Sequence, residues 1–180
     1  MERPQHLTIA PVTADDLADL AALAARTFPL ACPPGVRPAQ IQRFIFDHLS
    51  TDSFARYFND PDRHLVLARH DGLPVGYSMC VCTEPTDPDV LAVIHGRPAV
   101  EISKLYADAT WHGRGVAARL MTKALEDAKA QGARVCWLGV NKKNGRAQRF
   151  YTKHGFRVVG TKQFDVGGHV HDDYIMARPL

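Results

Sequence analysis

Gly113 and Gly115 stand two residues apart where a strand-like apolar run gives way to a helix-like pattern, and this junction limits the possible folds more than any other feature. Upstream, "AVEISKLYAD" reads as an extended strand. Downstream, Val116, Leu120, Met121, Ala124, Leu125 and Ala128 recur at helical spacing, while Arg119, Lys123, Asp127 and Lys129 are expected to face water. Gly132 supplies the stop signal. A helix entered through glycines presents free backbone N–H groups and the positive end of its dipole at one point, which suits a phosphate. An ordinary tight turn is the other use of such a pair.

The rest of the chain supplies the context. "LTIAPV" reads as a first strand, and Thr13 with Asp16 three residues on opens an Ala/Leu helix. The Pro-rich stretch "PLACPPGVRP" is expected to end that helix at Pro29. Two short amphipathic helices follow, "AQIQRFIFDHL" and "DSFARYFND", whose Phe44, Phe46, Phe54, Tyr57 and Phe58 belong either to the core or to a substrate mouth. A hairpin turning at Asp71-Gly72 comes next, then a proline-containing loop with a short helix. After the glycine junction and its helix come the strand "RVCWLGV", the helix "NGRAQRFYTKH" and a closing hairpin at Gly167-Gly168. This order predicts a single α/β (α+β) domain over residues 1–180, a mixed sheet flanked by helices.

Composition narrows the function classes. At 46% apolar and 23% charged residues, the chain is expected to be globular rather than disordered, and no apolar run approaches the length of a membrane span. The start "MERPQHLTIAPV" has no extended apolar core after its charges, so no leader is expected. The formal charge of +3 is scattered, densest in "NKKNGRAQR", with no accompanying nucleic-acid signature. Cys32, Cys80, Cys82 and Cys136 form no C-x-x-C pair and read as reduced thiols of a cytoplasmic protein. His169 and His171 share strand spacing, but a third ligand is lacking, so no metal site is expected.

Two phosphate-binding readings then fall away. A nucleoside-triphosphate loop needs G-x-x-x-x-G-K-S/T, and Val116 follows Gly115 instead. Gly113 to Ala118 fits the spacing G-x-G-x-x-G/A of a dinucleotide site, yet the next strand runs into Asn141-Lys142-Lys143 where that site needs an acid. Too little chain follows to complete such a domain.

The segment "EISKLYADATWHGRGVAARLM" resembles the strand, Q/R-x-x-G-x-G/A loop and long helix of the GNAT family of N-acetyltransferases. "NGRAQRFYTKHGF" resembles that family's second signature, N-x-x-A-x-x-x-Y-x-x-x-G-F, in the right order and separation. Together they cover about residues 100–157. The resemblance implies a sheet splayed around an acetyl-CoA cleft, with acetyl-CoA as co-substrate and no metal. It implies a pyrophosphate held by His112, Gly113, Arg114, Gly115, Val116 and Ala117, with His112 departing from the usual Arg or Gln. It places pantetheine contacts near Leu105, Tyr106 and Ala107, and leaves Asn144 as a helix cap, a pantetheine ligand or both. Tyr151 falls at the position of the proton donor to sulfur, with a core tyrosine as the bland reading. Glu101 is the first choice of base, with a water chain as the other route.

"VCWLGV", R-F-Y-x-K-x-G-F and the D-Y-I-M ending resemble the bacterial spermidine/spermine acetyltransferases in particular. A polyamine acceptor would require acids at the mouth, and Asp47, Asp52, Asp60, Asp62, Glu84, Asp87 and Asp89 are the candidates. Expected partners are a small-molecule amine, with no nucleic acid and no membrane. The sequence leaves a homodimer open, as it does a protein N-terminus or lysine as acceptor, or a non-catalytic acetyl-CoA sensor.

Overall fold

Seven strands form one mixed sheet in the order β1-β2-β3-β4-β5-β7-β6, in a computed structural model that describes residues 6–180. The charged start, Met1–Gln5, read above for the lack of a leader, lies outside them. The strands are β1 (Leu7–Pro11), β2 (Arg63–His70), β3 (Leu73–Val81), β4 (Ala99–Ala107), β5 (Val135–Asn141), β6 (Arg157–Val166) and β7 (His169–Pro179). The helices are α1 (Leu17–Ala31), α2 (Pro38–His48), α3 (Thr51–Asn59), α4 (Pro88–Val93), α5 (Val116–Ala130) and α6 (Gly145–Lys153). Among the described residues no helix is long and apolar enough to cross a membrane.

Local chemistry explains most boundaries. The Thr13 backbone N–H donates to the Asp16 carboxylate at 2.8 Å, fixing a short 3₁₀ turn before α1. The β2–β3 hairpin turns on Asp71 and Gly72 with φ of 48° and 85°, the left-handed pair that matches strand twist. One boundary departs from expectation, because α1 continues through Pro29 to Ala31. Proline forfeits one hydrogen bond, and in the last turn this loss is small because few residues follow it. Cys32 N–H then closes the helix on the Pro29 carbonyl at 3.3 Å.

Each face of the sheet has its own core. Leu65, Leu67, Tyr77, Met79 and Val81 bury one face under Leu20, Leu23, Phe28, Phe44 and Phe54 of α1, α2 and α3. The other face packs Ile102, Leu138 and Met176 against Met121, Ala124 and Ala128 of α5. A bulge in β4 sets which residues face which core. Cys80 pairs with Ile102 and Met79 with Lys104, which leaves Ser103 as an extra residue. Glu101, Lys104 and Tyr106 therefore share the α1–α3 face, while Ile102 and Leu105 join the α5 side.

Candidate active site

The two parallel strands part company in the middle of the sheet. β4 pairs with β5 only at Ala99–Val135, Val100–Cys136 and Glu101–Trp137. Beyond that point β4 stays with β3 as far as Ala107, and β5 stays with β7 as far as Asn141. The bulge bends β4 where this divergence begins, as an extra residue does in a strand. Between the diverging edges lies a cavity of about 220 Å³.

The glycine loop follows the far end of β4. Asp108 N–H donates to the Val75 carbonyl at 2.8 Å, and the Asp108 carboxylate accepts from Arg26 at 2.8 Å. That bond to Arg26 holds the Asp108 carboxyl below the usual carboxylate range. Trp111 packs on His70, and the Arg114 guanidinium lies 4.8 Å from the Trp111 ring centre. His112, the departure from the family pattern, turns its ring back and donates from Nε2 to the Ala107 carbonyl at 3.1 Å. Gly113 and Gly115 have φ of 78° and 79°, a region that non-glycine residues rarely adopt. Gly115 is the N-cap of α5 without a side-chain cap, so the first turn keeps its free N–H groups. A Cβ at either glycine would meet no protein atom within 4 Å, so the space over the loop is open to a ligand. These features fit a pyrophosphate.

Buried Val116 anchors the start of α5 against β3. A Cβ at Gly76 would lie 2.7 Å from Val116 Cγ1 and 2.9 Å from the Tyr106 carbonyl, so α5 docks this closely only over a glycine. The sequence reading did not single out Gly76. An isolated glycine inside a strand pattern was the available signal.

Asn144 caps α6, accepting from Ala147 N–H at 3.1 Å, and also lines the cleft. Tyr151 reaches the cleft from α6 while packing on Phe150 and Phe156. Burial pushes its phenol up to about 12, which keeps it protonated. Leu105 and Tyr106 line the cleft as expected, with Tyr106 stacked on Tyr77 at 5.6 Å. Ala107 and the loop residues lie outside the cavity, at the end of the strand that borders it.

Glu101 lines the cleft, and burial raises its carboxyl against the opposing pull of Lys162 and Lys104. Three further charged residues missed by the sequence reading share this face. Lys104 on β4 is drawn down to about 8 by burial, Asp173 on β7 is pushed up to about 6 by burial, and Lys162 stands opposite Asp173 in the β6–β7 register. The floor beside them is Gly139, where a Cβ would lie 2.9 Å from Lys162 Cε and 3.3 Å from Asp173 Oδ2. A charge within an apolar strand was the available signal for Lys104, whereas Asp173 follows Asp172 in a polar stretch and carried none.

None of the seven acids expected at an acceptor mouth lines the cavity. Asp60 pairs with Arg63 and Glu84 with Arg97, while Asp87 caps α4. The others, Asp47, Asp52 and Asp89 on helices α2, α3 and α4 and Asp62 before β2, likewise stand away from the cleft. Of the five helix aromatics only Phe44 lines the cleft; Phe54 is core and Phe46 is exposed. The four cysteines are free, and no group of three or more metal-binding side chains occurs among the described residues.

Comparison with known proteins agrees with this geometry. The model of the acetyltransferase (GNAT) family matches residues 22–156. The chain belongs to this family. An uncharacterized N-acetyltransferase of Mycobacterium tuberculosis is 49% identical over 165 residues, covering 92% of this chain and 98% of the relative. The PaiA N-acetyltransferase of Thermoplasma acidophilum, solved in complex with coenzyme A, shares the fold with a TM-score of 0.78 at 18% identity, covering 97% and 99% of the two chains. A ribosomal-protein-alanine N-acetyltransferase of Brucella melitensis does so with a TM-score of 0.72 at 18% identity, covering 96% and 99%. This GNAT member is an acetyl-CoA-dependent N-acetyltransferase, with the splayed α/β sheet that the family resemblance implied.

Proposed function

We propose that the protein transfers the acetyl group of acetyl-CoA to the primary amine of a small molecule by direct attack on the thioester. The observation that carries this reading is the gap between β4 and β5, bordered by a protonated phenol at Tyr151 and by carboxylates at Glu101 and Asp173. In this proposal Gly113 to Ala117 hold the pyrophosphate through backbone N–H groups, where no side chain is required. Arg114 and His112 shape the loop through Trp111 and the Ala107 carbonyl. The unpaired edge of β4 at Leu105, Tyr106 and Ala107 offers backbone groups to the pantetheine arm, and Asn144 combines cap and cleft wall.

The proton bookkeeping follows from the side chains. An acceptor amine arrives as an ammonium and must lose a proton before its lone pair can bond to the carbonyl carbon. Glu101 is the proposed recipient, since burial moves its carboxyl toward the range of an effective base; a water chain to a backbone carbonyl is the other route. As the carbon–sulfur bond breaks, Tyr151 donates its proton to the departing sulfur. A phenol held protonated by burial is suited to that donation.

The C-terminal resemblance to spermidine/spermine acetyltransferases makes a polyamine acceptor one candidate. Against it, the acids that would attract a polycation lie away from the cleft while Lys104 and Lys162 line it. A cytoplasmic setting suits the four free thiols. Thiol release from acetyl-CoA over a panel of amines, spermidine and an alanine-ended peptide included, tests the proposal. Release with a small amine above the rate without acceptor is expected. Acetyl-CoA binding without release for any amine would leave only a sensor, and release with the peptide alone would move the acceptor class to proteins.

A further inference from the structure

The cleft of this GNAT member holds two cationic and two anionic side chains, none of them in an ion pair. Lys104, Lys162, Glu101 and Asp173 line one cavity, and no ion pair or hydrogen bond engages any of their side chains among the described residues. Elsewhere on the molecule, partly exposed charges are paired: Arg26 with Asp108, Arg97 with Glu84, Lys123 with Asp127. That contrast runs opposite to the cost of desolvation, which is greatest for a buried, unpaired charge. Asp173 is 6% exposed, and its Oδ1 is buried without a hydrogen-bond partner.

The register shows how the four come together. The bulge at Ser103 puts Glu101 and Lys104 on one face of β4. Two strands away on β7, Asp173 shares that face, with Lys162 opposite it on β6. Gly139 between them removes the side chain that would fill the space. The two ammonium groups lie over aromatic rings, Lys104 Nζ 5.8 Å from the Tyr57 centre and Lys162 Nζ 5.7 Å from the Phe164 centre. Phe28, Phe44 and Leu49 close the cavity with apolar surface.

We infer that the acceptor carries a carboxylate as well as its amine, with Lys104 and Lys162 seating the carboxylate and the cleft's own carboxylates, Asp173 and Glu101, facing the ammonium. A zwitterion of this kind brings an opposite charge to the lysines and to the carboxylates alike, whereas a polycation would bring its charge against two lysines. The apolar wall fits the body of an amino-acid-like molecule between its charged ends. This inference rests on the proposed transfer to a small amine and names its substrate class.

The test compares amines that differ only in the carboxylate: lysine with cadaverine, phenylalanine with phenethylamine, 5-aminopentanoate with butylamine. The expected kcat/KM ratio favours the carboxylate-bearing member by roughly 10- to 100-fold, the size of a contact to a charged group. Lys104→Met and Lys162→Met should each collapse the ratio, mainly by raising KM for the carboxylate-bearing member. Equal or better use of the decarboxylated amines would overturn the inference while acetyl transfer to a small amine stood. Thiol release with none of the amines would instead overturn the transfer reading itself. Binding is read separately, by calorimetry of N-acetylphenylalanine with CoA-loaded protein. Affinity lost in Lys162→Met, with the melting temperature retained, supports the carboxylate seat whatever the turnover; equal affinity in variant and wild type sinks it.

Discussion

The glycine loop and the charged face of the cleft are built by opposite means. The loop is contiguous: one strand end, two left-handed glycines and one helix start put their backbone groups in place. The charged face is assembled from residues up to 72 positions apart, brought side by side by a bulge, a crossover and a hairpin. A group recognised through backbone N–H donors needs little from side chains, so its site is written in local sequence. An acceptor recognised through side-chain charge has a site that exists only once the sheet has its register.

The sharpest way to break this division is Tyr151→Phe. We expect kcat to fall about 10²- to 10⁴-fold, the usual worth of a positioned proton donor, with acetyl-CoA affinity by calorimetry near wild type. Comparable loss of both would make Tyr151 part of the cofactor's support. Gly115→Val comes next. Nothing in the protein opposes the new side chain, so folding suffers only through the left-handed φ, roughly 1–2 kcal/mol. The ligand meets the full crowding, and acetyl-CoA affinity should fall at least about tenfold, a change of about 1.4 kcal/mol. Unchanged affinity would remove the loop from the cofactor site.

Gly139→Ala probes the other half. Its Cβ would displace the flexible end of Lys162 and narrow the floor beside Asp173, so KM for the acceptor should rise a few-fold while KM for acetyl-CoA stays put. A rise in both constants would mean that the two regions are not separable. The smallest effect concerns Asp173→Asn and pH. The folded state raises this carboxyl to about 6 from an ordinary 3.8, so its contribution to stability is present at low pH and lost as pH rises through about 6. The variant has no such loss. Between pH 4 and pH 8 the difference in unfolding free energy should move in its favour by about 1–2 kcal/mol, after allowance for solvent at the cleft. A pH-independent difference in urea melts would refute the buried-charge account.

The same division decides what could be read from sequence. The strand–loop–helix unit, the α6 signature and the order of elements were legible because glycine spacing and helical periodicity act over neighbouring residues. Glu101 and Tyr151 were named through family likeness, and the fold brings both to the cleft wall. Lys104, Lys162, Asp173, Gly76 and Gly139 were not singled out, since each matters through a residue on another element. The acids Asp47 to Asp89 were nominated because a polyamine would require acids at the mouth, and sequence position carries no information about whether a helix or loop side chain faces the cleft. Pro29 misled for a local reason, because a helix tolerates proline where little helix remains beyond it.

Ser103 makes the cleft a matter of counting. Remove this one residue, and Ile102 and Lys104 become neighbours in an unbroken ladder, each side chain still on its present face. What disappears is the bend, and with it the reason β4 leaves β5 after Glu101. The sheet could then zip shut toward Ala107, raising amide-exchange protection along Leu138–Val140. The protein would keep its core, its loop and its charges, and have no seam through which a thioester could meet an amine.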